Sequence, residues 1–208
     1  NMPLLKGHEY GGVTLAAKNH YGSITNRDHS TLLRAWETNM PQYSMLVDIF
    51  GTTNLDGKTA LFITDGLFGN ICNTIDNNYT NCAFTNLFGG QWSSSLLLSF
   101  DPVAIDSVGL DFLYAEFGTR LGRNGPADTR TPSINSDNYL HEAALASNPP
   151  SGTVYQPDGA RLASLGVHEH WNNATNKQYS RNLGTGNGIE LAPVQINDSN
   201  VAWQAYND

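Results

Sequence analysis

Apolar residues in this chain come in short runs separated by Gly, Asn and Asp. Residues 45–50 (MLVDIF) and 59–64 (TALFIT) are near-continuous apolar runs. That pattern predicts strands buried on both faces of a parallel or mixed sheet. Residues 95–100 (SLLLSF) predict a third strand. Asp101-Pro102 then opens the strongest helical pattern: Asp is a good N-cap, and Pro suits the first helical position. Val108, Phe112 and Ala115 form one apolar row, Ile105, Leu113 and Phe117 lie near it, and Gly118 stops the helix. Ser30-Thr31 before LLRAWE predicts a short capped helix, and residues 139–146 predict another, ended by Asn148-Pro-Pro. Beyond residue 150 turns dominate (SGTVYQPDG, LGTGNG), ahead of a strand-like IELAPVQI. The alternation of strands and helices predicts an α/β fold: a mixed or mostly parallel sheet with flanking helices and a loop-rich C-terminal third. Residues 1–208 read as a single α/β domain in which 151–208 form a turn-rich extension.

Composition narrows the setting. Only 14% of residues are charged, against about 25% in an average soluble domain. Asn fills the gap with 23 residues, beside 20 Gly. Eleven scattered Lys and Arg, against a net charge of -8, argue against nucleic acid. No apolar run approaches the roughly 20 residues of a membrane span. Cys72 and Cys82 close an Asn-rich loop (CNTIDNNYTNC) and are read as a disulfide rather than two buried thiols. Sequons stand at Asn78, Asn173 and Asn197. With the cysteines and the low Lys content they lean towards a secreted protein, extracellular or periplasmic.

Candidate chemistry concentrates near the start. Lys6, His8, Lys18, His20 and His29 fall within 24 residues, in a chain with only four Lys and six His. Lys6 and Lys18 stand among apolar or small residues. A partly desolvated Lys there serves as base, nucleophile or anion clamp, and a solvated surface Lys is the plainer alternative. Asp65 follows a strand and faces either the ligand crevice or a turn. Asp48, inside an apolar run, needs a partner or a cleft. Asp101 reads as a helix cap; Asp106, one turn in, is either a carboxylate stabilised by the helix dipole or an ion-pair partner for Lys6 or Lys18. His168 and His170, two apart, would share one face of a strand, but nothing near them in sequence completes a four-ligand set. They and His141 are read as surface histidines. Nucleophile-elbow, HExxH and Walker motifs are absent, as is any iron–sulfur cysteine cluster.

The segments LLKGHEYGGVTLAAKNHYGS, LFITDGLFG and SFDPVAIDSVGLDFL together resemble the family called domain of unknown function 362. Later pieces, such as YLHEAALASNPPSGTVYQPDG, are similar to its secreted bacterial members, so the resemblance covers roughly residues 2–191. It implies a fold class and a site at Lys6, His8, Lys18, Asn19, Asp65, Asp101 and Asp106, but no reaction. Relatives usually carry a further N-terminal portion, which with the missing initial Met implies that part of the family domain is absent. Many also carry ferredoxin-like cysteines, which this chain lacks. A more distant likeness, to the nickel-pincer lactate racemase family, lies in the order His8, Lys18, His29. It implies a proton-moving His8, a tethering or anion-clamping Lys18 and a metal-binding His29.

The leading expectation is thus a site for a small anionic or carbohydrate-derived ligand. Lys6 and Lys18 would hold the anion, His8 would move a proton, and Asp65 or Asp106 would orient them or help hold a divalent metal ion. Asn19 and Asp101 would contact the ligand; His29 and His8 are the metal candidates. The alternative is a non-catalytic extracellular module, structural or glycan-binding, that self-assembles on the cell surface. It would present Trp92, Trp171 and Trp203 to sugars.

Overall fold

A computed structural model describes residues 1–25, 33, 39–71, 84–122 and 135–196. The helix expected after Ser30, His29, the Cys72–Cys82 pair, Asn78, Asn197 and Trp203 lie outside the described residues.

Strands β1 (Leu4–His8), β2 (Gly12–Thr14), β3 (Phe62–Asn70) and β4 (Ser95–Ser99) form one mixed sheet in the order β2-β1-β3-β4. β1 pairs antiparallel with β2 and parallel with β3, which pairs antiparallel with β4. Between β2 and β3 the chain makes α1 (Ala16–Asn19) and α2 (Met45–Gly51). α3 (Pro102–Phe117) follows β4, then come α4 (Asn138–Ala144) and α5 (Ser180–Leu183). The expected α/β architecture is present, with one parallel pair.

Two elements differ from the sequence pattern. The MLVDIF run is α2, a helix and not a strand. In a strand, Asp48 would share a face with Leu46 and Phe50. At 100° per residue, Leu46, Val47, Ile49 and Phe50 cover one buried arc and Asp48 points away from it. Asp48 there accepts a hydrogen bond from the Tyr43 hydroxyl at 2.7 Å. The second run begins later and ends later than its apolar residues suggest. Gly66 and Gly69 lie inside β3 because neighbours press on them: a Cβ at Gly66 would stand 3.1 Å from the Ser95 carbonyl oxygen, and one at Gly69 would overlap the Phe84 ring. Asp65 is therefore mid-strand, not at a strand end.

α3 is the helix the sequence predicts, capped by Asp101, whose carboxylate accepts from Val103 N (2.9 Å) and Ala104 N (2.8 Å). It packs across β1, β3 and β4 and is buried on nearly every face. A Cβ at Gly109 would stand 3.1 Å from Leu15 Cδ2 and 3.4 Å from Leu5 Cδ1, so glycine lets the helix approach β1 closely. On the opposite sheet face Leu4, Leu96 and Leu98 are each half exposed or more.

The buried acids of α3 hold the loops. Asp106, wholly buried, accepts from Ala16 N (2.7 Å), Ala17 N (3.0 Å) and the Tyr139 hydroxyl (2.9 Å). Asp111 accepts from Trp171 N (3.0 Å) and the Tyr179 hydroxyl (2.8 Å). Glu116 accepts from the backbone of Thr85, Asn86 and Leu87. On α4, Glu142 accepts from Ser151 N (2.9 Å) and the Tyr155 hydroxyl (2.8 Å). Residues 145–196 contain no strand, and α5 is their only helix. The strand-like IELAPVQI forms no strand, its Ile189 buried and most of the rest exposed. No helix among the described residues is long and apolar enough to cross a membrane.

Asp106 generates a direct prediction. Asp106→Asn turns an amide donor towards a backbone N–H or the Tyr139 hydroxyl. Stability at pH 8 is expected to fall by about 1–3 kcal/mol. Urea denaturation checks this, and an unchanged midpoint would remove Asp106 from its holding role.

Candidate functional site

β1 and β2 present the first group of candidate residues. His8 ends β1, is only 6% exposed, and accepts at Nδ1 from Tyr10 N (3.1 Å) and Gly11 N (3.2 Å). Backbone N–H groups can only donate, so His8 is held with its ring proton on Nε2. Lys6 stands two residues earlier on the same strand, paired with Thr14. Lys18 leaves the short helix α1 and runs back along the β1–β2 turn: a Cβ at Gly11 would lie 3.7 Å from Lys18 Cδ. Its ammonium sits over the Tyr21 ring, 5.1 Å from the centroid.

Burial, and then the positive charge of Lys6, pull the Lys18 amine down to about 8. The two lysines therefore feel one another, and neither forms an ion pair with a carboxylate among the described residues. Asp106 is not their counter-ion. It anchors the start of α1 through Ala16 and Ala17, and so places Lys18 from below. Burial pushes the Asp106 carboxyl up to about 7 against the pull of its three donors.

The other candidates are engaged elsewhere. Asp65 pairs with Leu4 and folds back on its own strand, accepting from Leu67 N at 3.0 Å. Asp101 caps α3 and accepts from Val167 N at 3.0 Å. Asn19 donates to the Asn1 side chain at 2.6 Å. Trp171 packs edge-on against Phe112, with ring centroids 5.1 Å apart. An open, mostly apolar cleft of about 310 Å³ is lined by Tyr43, Met45, Asp48, Ile49 and Leu55 among others, and contains none of the predicted site residues.

A second group went unrecognised in the sequence. His168 and His170 lie in an extended segment, not a strand, and meet Asp137 and His141 at the start of α4. The His168 ring stands edge-on to both His141 (4.4 Å between centroids) and His170 (4.9 Å). Burial first, then the charges of His141 and His170, drive His168 down to about 3. The hydrogen bond to Asp111 chiefly raises His170. The usable signal was Asp137 and His141 at i, i+4, the spacing that shares a helix face. Spacing along the chain hides the cluster, because Asp137 and His141 lie far in sequence from His168 and His170.

A mixed four-stranded sheet backed by a buried helix defines an α/β protein whose candidate lysine and histidine chemistry sits on β1 and α1. The chain belongs to the family described as Domain of unknown function (DUF362), whose model matches residues 1–111. That match takes in Lys6, His8, Lys18, Asn19, Asp65, Asp101 and Asp106, and stops before Asp137. No curated protein and no solved structure matches the chain.

The Lys6–Lys18 pair predicts a charge effect. Lys6→Met removes the neighbouring cation, so the Lys18 pKa is expected to rise above about 8 while staying below 10.5, because burial, the larger cause, remains. Because the native pKa lies below the unfolded one, the unfolded chain binds more protons in this window, and stability should rise with pH across it. NMR titration of the ¹³C-dimethylated lysines reads both values; an unmoved Lys18 would show that Lys6 is too far away to matter.

Proposed function

We propose that the β1–β2–α1 corner binds the anionic group of a small molecule, with Lys6 and Lys18 as the clamp and His8 Nε2–H as the adjacent proton donor. One observation carries this reading: two lysines within each other's field, one of them half-buried, with no carboxylate neutralising either among the described residues. Such a pair is costly without an anion. A carboxylate or phosphate between them would relieve both the repulsion and the burial. The ligand class is a small anionic or carbohydrate-derived molecule, and a reaction on it would use His8 for the proton. Secretion accompanies this reading. Its support is the low Lys content, the Cys72 and Cys82 spacing and the sequons, of which Asn173 is exposed.

Anion binding must then follow the charge of Lys18. Phosphate and acetate titrations by calorimetry are expected to show affinity that is highest below pH 8 and falls as Lys18 deprotonates. In Lys18→Met the affinity should drop by about tenfold or more, the worth of one charge-assisted hydrogen bond. Affinity that is flat from pH 7 to 9, or indifferent to Lys18→Met, would remove this reading.

The exposed sheet face favours a second reading, a self-assembling structural module. Leu96 (50%), Leu98 (62%) and Phe100 (83%) are exposed along and just beyond β4, with Leu4 (54%) on β1 across Asp65 of β3. A second copy of the chain suits such a surface. Light scattering should show concentration-dependent dimers that Leu98→Asp abolishes; a monomer at high concentration counts against it.

A further inference from the structure

We propose that Asp137, His141, His168 and His170 bind one divalent transition ion of the zinc class, in a site separate from the Lys6–Lys18 corner. The donor atoms already converge. One ligand atom each from Asp137, His141 and His168 lie within 4.8 Å of one another. Asp137 Oδ2 is 3.4 Å from His141 Nε2 and 4.0 Å from His170 Nε2. Donors bound at about 2.0–2.1 Å to one tetrahedral ion lie about 3.3–3.4 Å apart, so Asp137, His141 and His168 close on an ion with shifts of about an ångström, and His170 joins from the Asp137 side.

The hydrogen bonds behind the rings fix which nitrogens face the site. Ser107 Oγ donates its one proton to the Val103 carbonyl at 2.8 Å. The 2.8 Å contact between Ser107 Oγ and His168 Nδ1 must therefore be donated by the imidazole. This leaves a bare lone pair on His168 Nε2. That atom is buried and has no hydrogen-bond partner. An unpaired buried acceptor is costly, and a cation resting on it removes the cost.

His170 repeats the arrangement. Its Nδ1 donates to Asp111 at 2.6 Å, which turns Nε2 towards Asp137. A carboxylate behind a ligating histidine orients the ring and makes it a better donor. Ser107 and Asp111 are four residues apart on α3, so one helix face holds both imidazoles.

The chemistry of the set selects the ion. Three imidazole nitrogens and one carboxylate oxygen suit zinc and its neighbours, whereas calcium and magnesium need more oxygen ligands. The ion would tie α4 to the 168–170 segment, which has no secondary structure of its own. All four ligands lie beyond the residues that match the family model.

Zinc titration of the chelator-treated full chain is expected to give one saturable equivalent. At zinc about a hundredfold above Kd, the unfolding temperature should rise by roughly 5–10 °C. Cobalt in place of zinc should give the intense visible bands of a tetrahedral ion. His168→Gln and His141→Gln should each weaken zinc binding by about tenfold or more. The His141 side chain is half exposed, so its loss leaves the core intact. His20→Gln, outside the cluster, should leave the isotherm unchanged. The assignment is overturned if no saturable equivalent appears, if both cluster variants bind as the parent does, or if His20→Gln weakens binding equally.

Discussion

The structure depends on carboxylates buried without a lysine or arginine partner. Asp106, Asp111, Glu116 and Glu142 are each at most 5% exposed, and none is paired with a Lys or Arg among the described residues. A buried charge needs compensation, and here backbone N–H groups, hydroxyls and, at Asp111, the His170 imidazole supply it. Each carboxylate with several lone-pair sites gathers two to four donors from a different stretch of chain. A chain with few Lys and Arg has no other means of satisfying these acids. Low charge and loop-rich architecture are thus one property: loops free of ladder hydrogen bonds have N–H groups to spare, and the core acids need them.

This logic explains why α3 can be buried all round yet carry Asp106, Asp111 and Glu116. In an amphipathic surface helix those residues would mark the wet face. Here they mark where three segments dock: the first turn of α1 on Asp106, residues 171 and 179 on Asp111, and residues 85–87 on Glu116. The C-terminal third obtains its order the same way. Tyr155 and Tyr179, both fully buried, deliver hydroxyls to Glu142 and Asp111 and bring their loops with them.

Much of this was legible in the sequence, and the failures share a cause. Asp101-Pro102 and Gly118 bound α3 through local capping chemistry, which needs no knowledge of the fold. The α/β class and the β4 strand follow from pattern in the same way. α2 was misread because a six-residue apolar run fits either period, and only the single polar position, Asp48, separates them. The role of Asp106 was misassigned for a deeper reason. A buried Asp was expected to pair with a nearby cation, whereas its partners are main-chain donors, which no side-chain inventory reveals. The histidine cluster was hidden by distance: Asp137 and His141 precede His168 by about a helix and a long loop, and only docking on α3 brings them together.

α3 therefore supports both candidate sites through adjacent side chains. Asp106 anchors α1, which carries Lys18, and through the Tyr139 hydroxyl it also holds α4, which carries His141. Ser107, the next residue, orients His168. The ligands we propose for the two sites carry opposite charges, an anion at the lysines and a cation at the histidines. The acid between them is already committed to neutral donors, so it neutralises neither. That insulation has a physical consequence. Were Asp106 a counter-ion to Lys18, it would compete with an incoming anion. Spent instead on Ala16, Ala17 and Tyr139, it fixes the geometry of the lysine corner while leaving its charge unopposed.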